Sequence, residues 1–374
     1  MRTGERCCQK TILSQDKHLS GDMVISSPIS GAGFSILTLQ NYARQMNARK
    51  VASEQSGIRS TFSPQVSIEN NAANKWTVLR ADMDGAIEHL KTEVSRVQDI
   101  RDKVSRLLTI ENAAASATSD DLAQYVLLFD AGVGDINHLA NLTTQDPNLL
   151  GTTYDGDVSY KKNPELDFTR ITHRDLSTGY TLTETGGNYW TKNDEFFNVT
   201  LTQYNSSGVA TGITAVINQD IRLDSISGSS VDFTIFADTD SEQSFTGTTL
   251  TTAGLGVLDS WAYDGLATSD GRALAESTLR TALSTLDGNL ANLNGAIAQA
   301  QFDFSLAEVQ VSGAGRNISD INHRQMLALQ ESSGQYANTD LALSAAIGRN
   351  NILRGGYLIL LGVQSTGNII DISG

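Results

Sequence analysis

The stretch Leu279–Ile297, LRTALSTLDGNLANLNGAI, decides the fold of this chain. Its large apolar residues recur in alternating steps of four and three, the spacing of a helix that packs along one seam. The seam residues are Leu279, Leu283, Leu286, Leu290, Leu293 and Ile297. Because the same register continues to Ile321, the sequence predicts one long helix over about six heptads.

Glycines are expected to limit this helix. Gly313 and Gly315 lie inside the pattern and cost about 1 kcal/mol each relative to Ala, so we expect the helix to weaken or break there. A last helical piece is predicted from Thr339 to about Leu353. It should end near Gly355, after which the chain is expected to become strand-like or frayed.

A second helical arm precedes the first along the chain. Residues 33 to about 115 contain one proline, Pro64, and read as helical, most clearly from Trp76 to Leu108. The seam of this arm is formed by Leu79, Met83, Leu90, Val94, Val97 and Val104. A further helix is predicted from Asp120 to Asn141, with Ser119 as its N-cap. Either seam could be an intramolecular core or a subunit interface, and both could hold on different faces.

The segment between the arms, residues 151–265, has a different pattern. It is rich in Thr, Ser, Gly, Asn and aromatic residues, and it carries at least twice as many acidic as basic residues. Short runs with strand character occur at 180–183, 196–201 and 231–236, separated by turn signals such as Gly186-Gly187. This pattern predicts an exposed all-β insert of several antiparallel strands.

The predicted fold class is therefore α+β. Neither arm can bury its seam alone, so the two arms are expected to pack antiparallel as a long coiled-coil rod with the insert looped out. The expected divisions are a disordered extension (1–32), the N-terminal arm (33–150), the β insert (151–265), the C-terminal arm (266–360) and a tail (361–374).

The composition excludes several classes of protein. A formal charge of −15 without any basic run argues against a nucleic-acid partner. Only Cys7 and Cys8 are present, which leaves no thiol for a metal site or a nucleophile after residue 8. No apolar run approaches the length of a membrane span, and the first 22 residues lack a signal-peptide core. We therefore expect no enzyme: no catalytic, cofactor-binding or metal-ligating residues and no membrane insertion.

Short phrases along both arms resemble bacterial flagellin and its hook–filament junction relatives. The phrases are LTLQN at 37–41, SGIR at 56–59, QDIRD at 98–102, TQDPNLL at 144–150, GAI at 295–297, QF at 301–302 and NIL at 351–353. They stand in the family's order over residues 33–150 and 272–360, and the insert carries none of them. The chain is identified on this resemblance as a divergent member of the family.

The resemblance implies a structural role. Family members leave the cell through a flagellar export apparatus without a cleaved signal, and their terminal helices fold on assembly. It implies a secreted, extracellular filament subunit whose partners are copies of itself, the export apparatus and its chaperone, and hook-associated or cap proteins.

Two alternatives stay open beside the filament subunit. One is a hook–filament junction protein, which shares the helical arms. The other is a secreted binding module or adhesin, in which a coiled-coil stalk displays the β insert. Proteolysis distinguishes them, because a stalk folds in the monomer whereas flagellin-like ends are protected only after assembly.

Overall fold

The computed structural model describes residues 34–142, 148–153, 156–193 and 199–366. The expectations for residues 1–32, and for 367–374 of the predicted tail, lie outside the described residues. The helices are α1 Phe34–Ala114, α2 Ser119–Ala140, α3 Ile217–Asp220 and α4 Ser269–Thr366, with a 3₁₀ segment at Ser260–Leu266. The strands are β1 Val158–Lys161, β2 Phe168–Ile171, β3 Tyr180–Thr183, β4 Tyr189–Asn193, β5 Thr200–Tyr204, β6 Ala210–Val216, β7 Ile221–Ser227, β8 Ser230–Ile235 and β9 Gln243–Thr252.

The predicted fold class is confirmed: long helices at both ends enclose a central antiparallel β insert. Two of the runs with strand character coincide with β3 and β8, and the third overlaps β5 in its described part. The apolar periodicity accounts for α1 and α4, because residues three and four apart share one face of a helix.

The helical arm at the C-terminus departs from the prediction at its glycines. α4 is a single helix of 98 residues that runs through Gly313 and Gly315 and ends at Thr366, so the predicted break and the predicted end near Gly355 are wrong. A side chain at Gly313 or Gly315 would meet nothing within 4 Å, so each glycine costs only backbone entropy. The buried side chains of Ala314 and Ile321 hold the helix in place around them.

The cap of α2 also differs from the prediction. The N-cap is Thr118, one residue before the predicted Ser119, which is itself helical. The backbone N–H of Asp121 donates to the Thr118 hydroxyl over 3.3 Å, and that hydroxyl lies 2.7 Å from the Asp121 carboxylate. Thr118 therefore satisfies one of the donors that the start of a helix leaves unpaired.

Seven strands of the insert form one antiparallel sheet, in the order β6-β5-β4-β3-β9-β8-β7, and β1 pairs separately with β2. Aromatic side chains pack together on this sheet: the ring of Trp190 contacts those of Phe233 and Phe245 edge-on, with ring centroids 5.7 and 5.1 Å apart. The 3₁₀ segment joins the sheet to α2, because the ring of Tyr263 packs edge-on against Phe129 at 5.8 Å.

The chain forms two compact units, and α1 and α4 contribute residues to both. One unit comprises residues 63–322, with the β insert, α2 and the inner parts of the long helices. The other comprises residues 1–62 and 323–374, of which the structure describes 34–62 and 323–366. The domain boundaries predicted at 150 and 265 stay a prediction.

Candidate assembly interface

The predicted seam residues all lie in the unit of residues 63–322, where they form an apolar core within one chain. Those that are buried are Leu79, Met83, Leu90, Val97, Val104, Leu279, Leu286 and Leu293. Those that are partly buried against the same core are Val94, Leu283, Leu290 and Ile297. The structure thus brings both seams into one core, and their role in assembly stays a prediction.

Polar contacts fix the direction in which α1 and α4 pair within this unit. The Glu69 carboxylate accepts from the Asn317 side chain over 3.2 Å, and Arg101 Nε donates to Asp287 over 2.7 Å. Residue numbers rise along α1 while those of their partners fall along α4, so the helices run antiparallel. The Asp287 carboxylate, through its hydrogen bond and its charge, raises the pKa of Arg101 above the usual value.

The other unit shows the same direction of pairing. The Gln55 side chain donates to the Ser333 hydroxyl over 3.2 Å, and Arg44 donates to the Ser344 hydroxyl over 3.1 Å. Arg44 Nε also lies 3.6 Å from the Asp340 carboxylate. Because these contacts are exposed, they contribute little to stability.

Apolar side chains of this second unit face outward. Leu39, Tyr42 and Met46 are 65%, 62% and 47% exposed, and their spacing places them on one face of α1. Leu341 on α4 is 68% exposed. An open groove of about 690 Å³ is lined by Ala43, Met46, Asn47, Arg49, Lys50, Thr339 and Leu343. We call the exposed residues Leu39, Tyr42, Met46 and Leu341 the terminal apolar face.

The first unit carries a smaller exposed stripe of its own. Phe302, Leu306 and Val309 follow one another at steps of four and three on α4, and they are 60%, 46% and 60% exposed. Leu127 and Leu128 on α2 are also exposed, at 52% and 41%. Sequence reasoning assigned Phe302 to a family phrase and missed its exposure, because periodicity identifies a face without identifying what covers it.

A buried arginine, which sequence reasoning also missed, joins α1 to the end of α2. Arg96 is 6% exposed and forms a 2.8 Å ion pair with Glu93, one turn earlier. It donates to the carbonyls of Leu139 and Ala140 over 2.8 and 3.1 Å, and to the Asn148 side chain over 3.3 Å. A cation there satisfies the carbonyl groups at the C-terminus of α2 and complements its dipole.

Across the described ranges, no group of three or more His, Cys, Asp or Glu side chains is placed to hold a metal ion. The His173 ring lies in a loop with Nε2 2.5 Å from the carbonyl of Gly151, and the Asp175 carboxylate accepts from the Ser177 backbone. None of the described helices has the length and apolar character that crossing a membrane requires.

Among known proteins, this chain is similar to several solved structures. A scan against protein-family models matches none of them, and a search of curated proteins gives no match. The chain is similar to FlgL from Xanthomonas campestris, with 13% identity over 63% of this chain and 92% of that one and a TM-score of 0.28.

Two Legionella pneumophila structures give comparable values. Similarity to flagellar hook-associated protein 3 covers 71% of this chain and 98% of that one, with 11% identity and a TM-score of 0.29. Similarity to the flagellar junction protein FlgL covers 72% and 99%, with 10% identity and a TM-score of 0.28. With identities this low and TM-scores below 0.5, the likeness assigns no role to this chain.

Proposed function

We propose that this chain is a structural subunit of the bacterial flagellum that assembles through its terminal helices. The observation that carries the proposal is the terminal apolar face, which a single copy leaves exposed on α1 and α4. Exposed apolar side chains at helical spacing are stabilised when another helix covers them. A subunit that gains this cover on assembly needs no catalytic residue.

Support also comes from the sequence. The flagellin-like phrases flank the insert in the family's order, and the helices that contain them pair antiparallel in each unit. The proposed location is the extracellular flagellum. The proposed partners are copies of this chain, the export apparatus with its chaperone, and hook-associated or cap proteins.

Within the flagellum we place the hook–filament junction first and the filament itself second. Two of the solved structures similar to this chain carry the names of a hook-associated protein and a junction protein. The β insert faces solvent in either role. A stalked adhesin is the remaining alternative.

Assembly of the purified full chain tests the proposal. Negative-stain microscopy would follow two treatments: precipitation with ammonium sulfate, and incubation with isolated flagellar hooks. A junction protein attaches to hook ends without forming long filaments, whereas a filament subunit polymerises after precipitation. If neither hooks nor filaments incorporate the chain, and its ends resist protease in the monomer, the adhesin replaces the flagellar proposal.

A matched pair of variants locates the interface. Met46→Asp places a charge on the terminal apolar face and should reduce assembly at least tenfold, while thermal unfolding of the monomer stays unchanged. Leu166→Asp changes a comparably exposed residue, 55% exposed, between β1 and β2 and should leave assembly intact. Equal assembly by both variants would show that the terminal apolar face is not the interface.

A further inference from the structure

Two carboxyl groups are buried together where α2 meets the sheet. Asp130 on α2 is 3% exposed, and Asp259, just before the 3₁₀ segment, is 0% exposed. Ser260 donates to Asp130 twice, from its backbone N–H over 2.6 Å and from its hydroxyl over 2.8 Å. Asp259 accepts from the Tyr180 hydroxyl over 2.8 Å and from the Lys192 ammonium over 2.9 Å.

Among the described residues, the two carboxyl groups of this cluster face one cation. Lys192, whose side chain is 3% exposed, is the cation that meets the cluster among the described residues, and it contacts Asp259 rather than Asp130. The other titratable groups packed there are phenols. Burial raises the pKa of Tyr180 well above its usual value and that of Tyr263 to about 12, so both stay neutral.

With both carboxylates ionised, the groups described at this buried site would therefore carry one more negative charge than positive. Burying an unpaired charge is expensive, so a carboxyl group in this position holds its proton to higher pH. Burial first, and the neighbouring Asp259 second, raise the pKa of Asp130 to about 7. The two hydrogen bonds that Ser260 donates to Asp130 lower this pKa in turn, but they do not cancel the rise.

We propose that Asp130 and Asp259 form a pH-sensitive latch between α2 and the β insert, closed while Asp130 carries its proton and loosened when that proton leaves. The latch lies within one copy of the chain, so it does not depend on the proposed function. Its loosened state moves the 3₁₀ segment and the sheet edge it holds away from α2, because an ionised Asp130 is a second buried negative charge that repels the neighbouring Asp259 carboxylate.

The direction of the pH effect follows from proton linkage. The pKa of Asp130 is higher in the folded chain than the value near 3.9 of an unfolded aspartate, so the folded state binds more protons between the two values. The stabilising effect of the protonated group is complete below the unfolded pKa. It declines as the pH rises and is lost above the folded pKa.

Thermal unfolding of the full chain, followed by near-ultraviolet circular dichroism, tests the latch because Tyr180 and Trp261 report on the cluster. The Tm of the unaltered chain should fall by several degrees between about pH 5.5 and about pH 8.5. Asp130→Asn keeps an oxygen acceptor for the Ser260 N–H and an amide donor for its hydroxyl, but it does not titrate. Its Tm should exceed that of the unaltered chain at the higher pH, and its pH profile should be flatter.

Asp135→Asn is the matched control, because it removes a carboxylate from the same helix at an exposed position that pairs with Lys103. Its pH profile should parallel that of the unaltered chain. Parallel profiles for Asp130→Asn and the unaltered chain would overturn the latch. Infrared spectroscopy of the unaltered chain gives a second measurement that needs no variant. The carbonyl band of a buried protonated carboxyl group should be present at the lower pH and absent at the higher one, and its absence at both would overturn the proposal.

Discussion

The same two helices behave differently in the middle of the chain and at its ends. In residues 63–322, α1 and α4 bury large side chains such as Met83, Leu90 and Leu286, each 0% exposed. In residues 38–62, 323–350 and 352–353, whose side chains are described, Ser332 is the buried residue. Apolar residues at the ends, such as Tyr42 and Leu341, stay exposed instead.

The difference shows that helical periodicity and burial are separate properties. In the middle, α2 and the sheet add surfaces that cover the seam, so apolar area is removed from water within one chain. In the described part of the ends, α1 and α4 pack against each other alone, and each helix covers one face of the other. The remaining apolar face can be covered by other copies, which is why the ends carry the proposed assembly function.

A charge introduced at a buried seam residue should cause the largest change in the free energy of unfolding. Leu286→Asp buries an unpaired carboxylate and creates a gap in the core, and we expect the free energy of unfolding of residues 63–322 to fall by about 4 kcal/mol or more. Leu341→Asp, on the same helix but 68% exposed, should leave it within about 0.5 kcal/mol of the unaltered value. Chemical denaturation followed by circular dichroism measures both, and similar losses would show that the ends are as well packed as the middle.

Removing the cation of the buried cluster should have the next largest effect. Lys192→Met leaves Asp259 without its ion-pair partner, and we expect a loss of about 3 kcal/mol at pH above neutral, with a smaller loss at lower pH. Lys162→Met is the control, since Lys162 is 38% exposed and lies 3.8 Å from Asp303. Urea titrations at two pH values measure the change. A loss no larger than that of the control would mean that the ion pair does not hold β4 to the start of the 3₁₀ segment.

The helix cap gives a smaller and more local change. Thr118→Ala removes the acceptor of the Asp121 N–H and should lower the free energy of unfolding of residues 63–322 by about 1 kcal/mol. Thr118→Ser retains a hydroxyl and should recover most of that loss. Thermal unfolding of the two variants provides the measurement, and equal Tm values would contradict the assignment of Thr118 as the cap.

Replacing a glycine of α4 should have the smallest effect, and this effect should be stabilising. Gly313→Ala adds a methyl group that meets nothing within 4 Å, and it should raise the free energy of unfolding by about 0.5–1 kcal/mol. Gly254→Ala should do the opposite, because Gly254 has φ +58° and an added Cβ would lie 2.2 Å from the Ser177 carbonyl oxygen. Denaturation curves for the pair distinguish a permissive glycine from a required one.

The long helices and the strand character of the insert follow from sequence because both depend on local periodicity. The Leu279 to Ile297 seam and the 180–183 strand are examples in which spacing alone suffices. The break expected at Gly313 was wrong because a glycine's entropic cost is small beside the packing of a long helix. Strand order was not predictable, since a register such as that between β3 and β9 joins residues far apart in sequence.

The buried polar groups could not be recognised from sequence. Asp130, Lys192 and Asp259 come from three separate segments, and each resembles an ordinary surface charge in its own neighbourhood. Arg96 gave a weak signal, because with Glu93 it lies beside the seam residues Val94 and Val97. Burial of these groups depends on tertiary packing, which a local pattern does not contain.

The order of strands in the sheet determines where the β insert can accept additional residues. β3 and β9 are the first and last strands of the seven-stranded sheet, and they pair at its centre, with Tyr180 opposite Thr252. The chain therefore enters and leaves the sheet on neighbouring strands. The outer turns at Gly208 and Gly228 connect strands that lie toward the two margins. Foreign peptides grafted at those turns should therefore extend the outer strands of the sheet without altering the long helices.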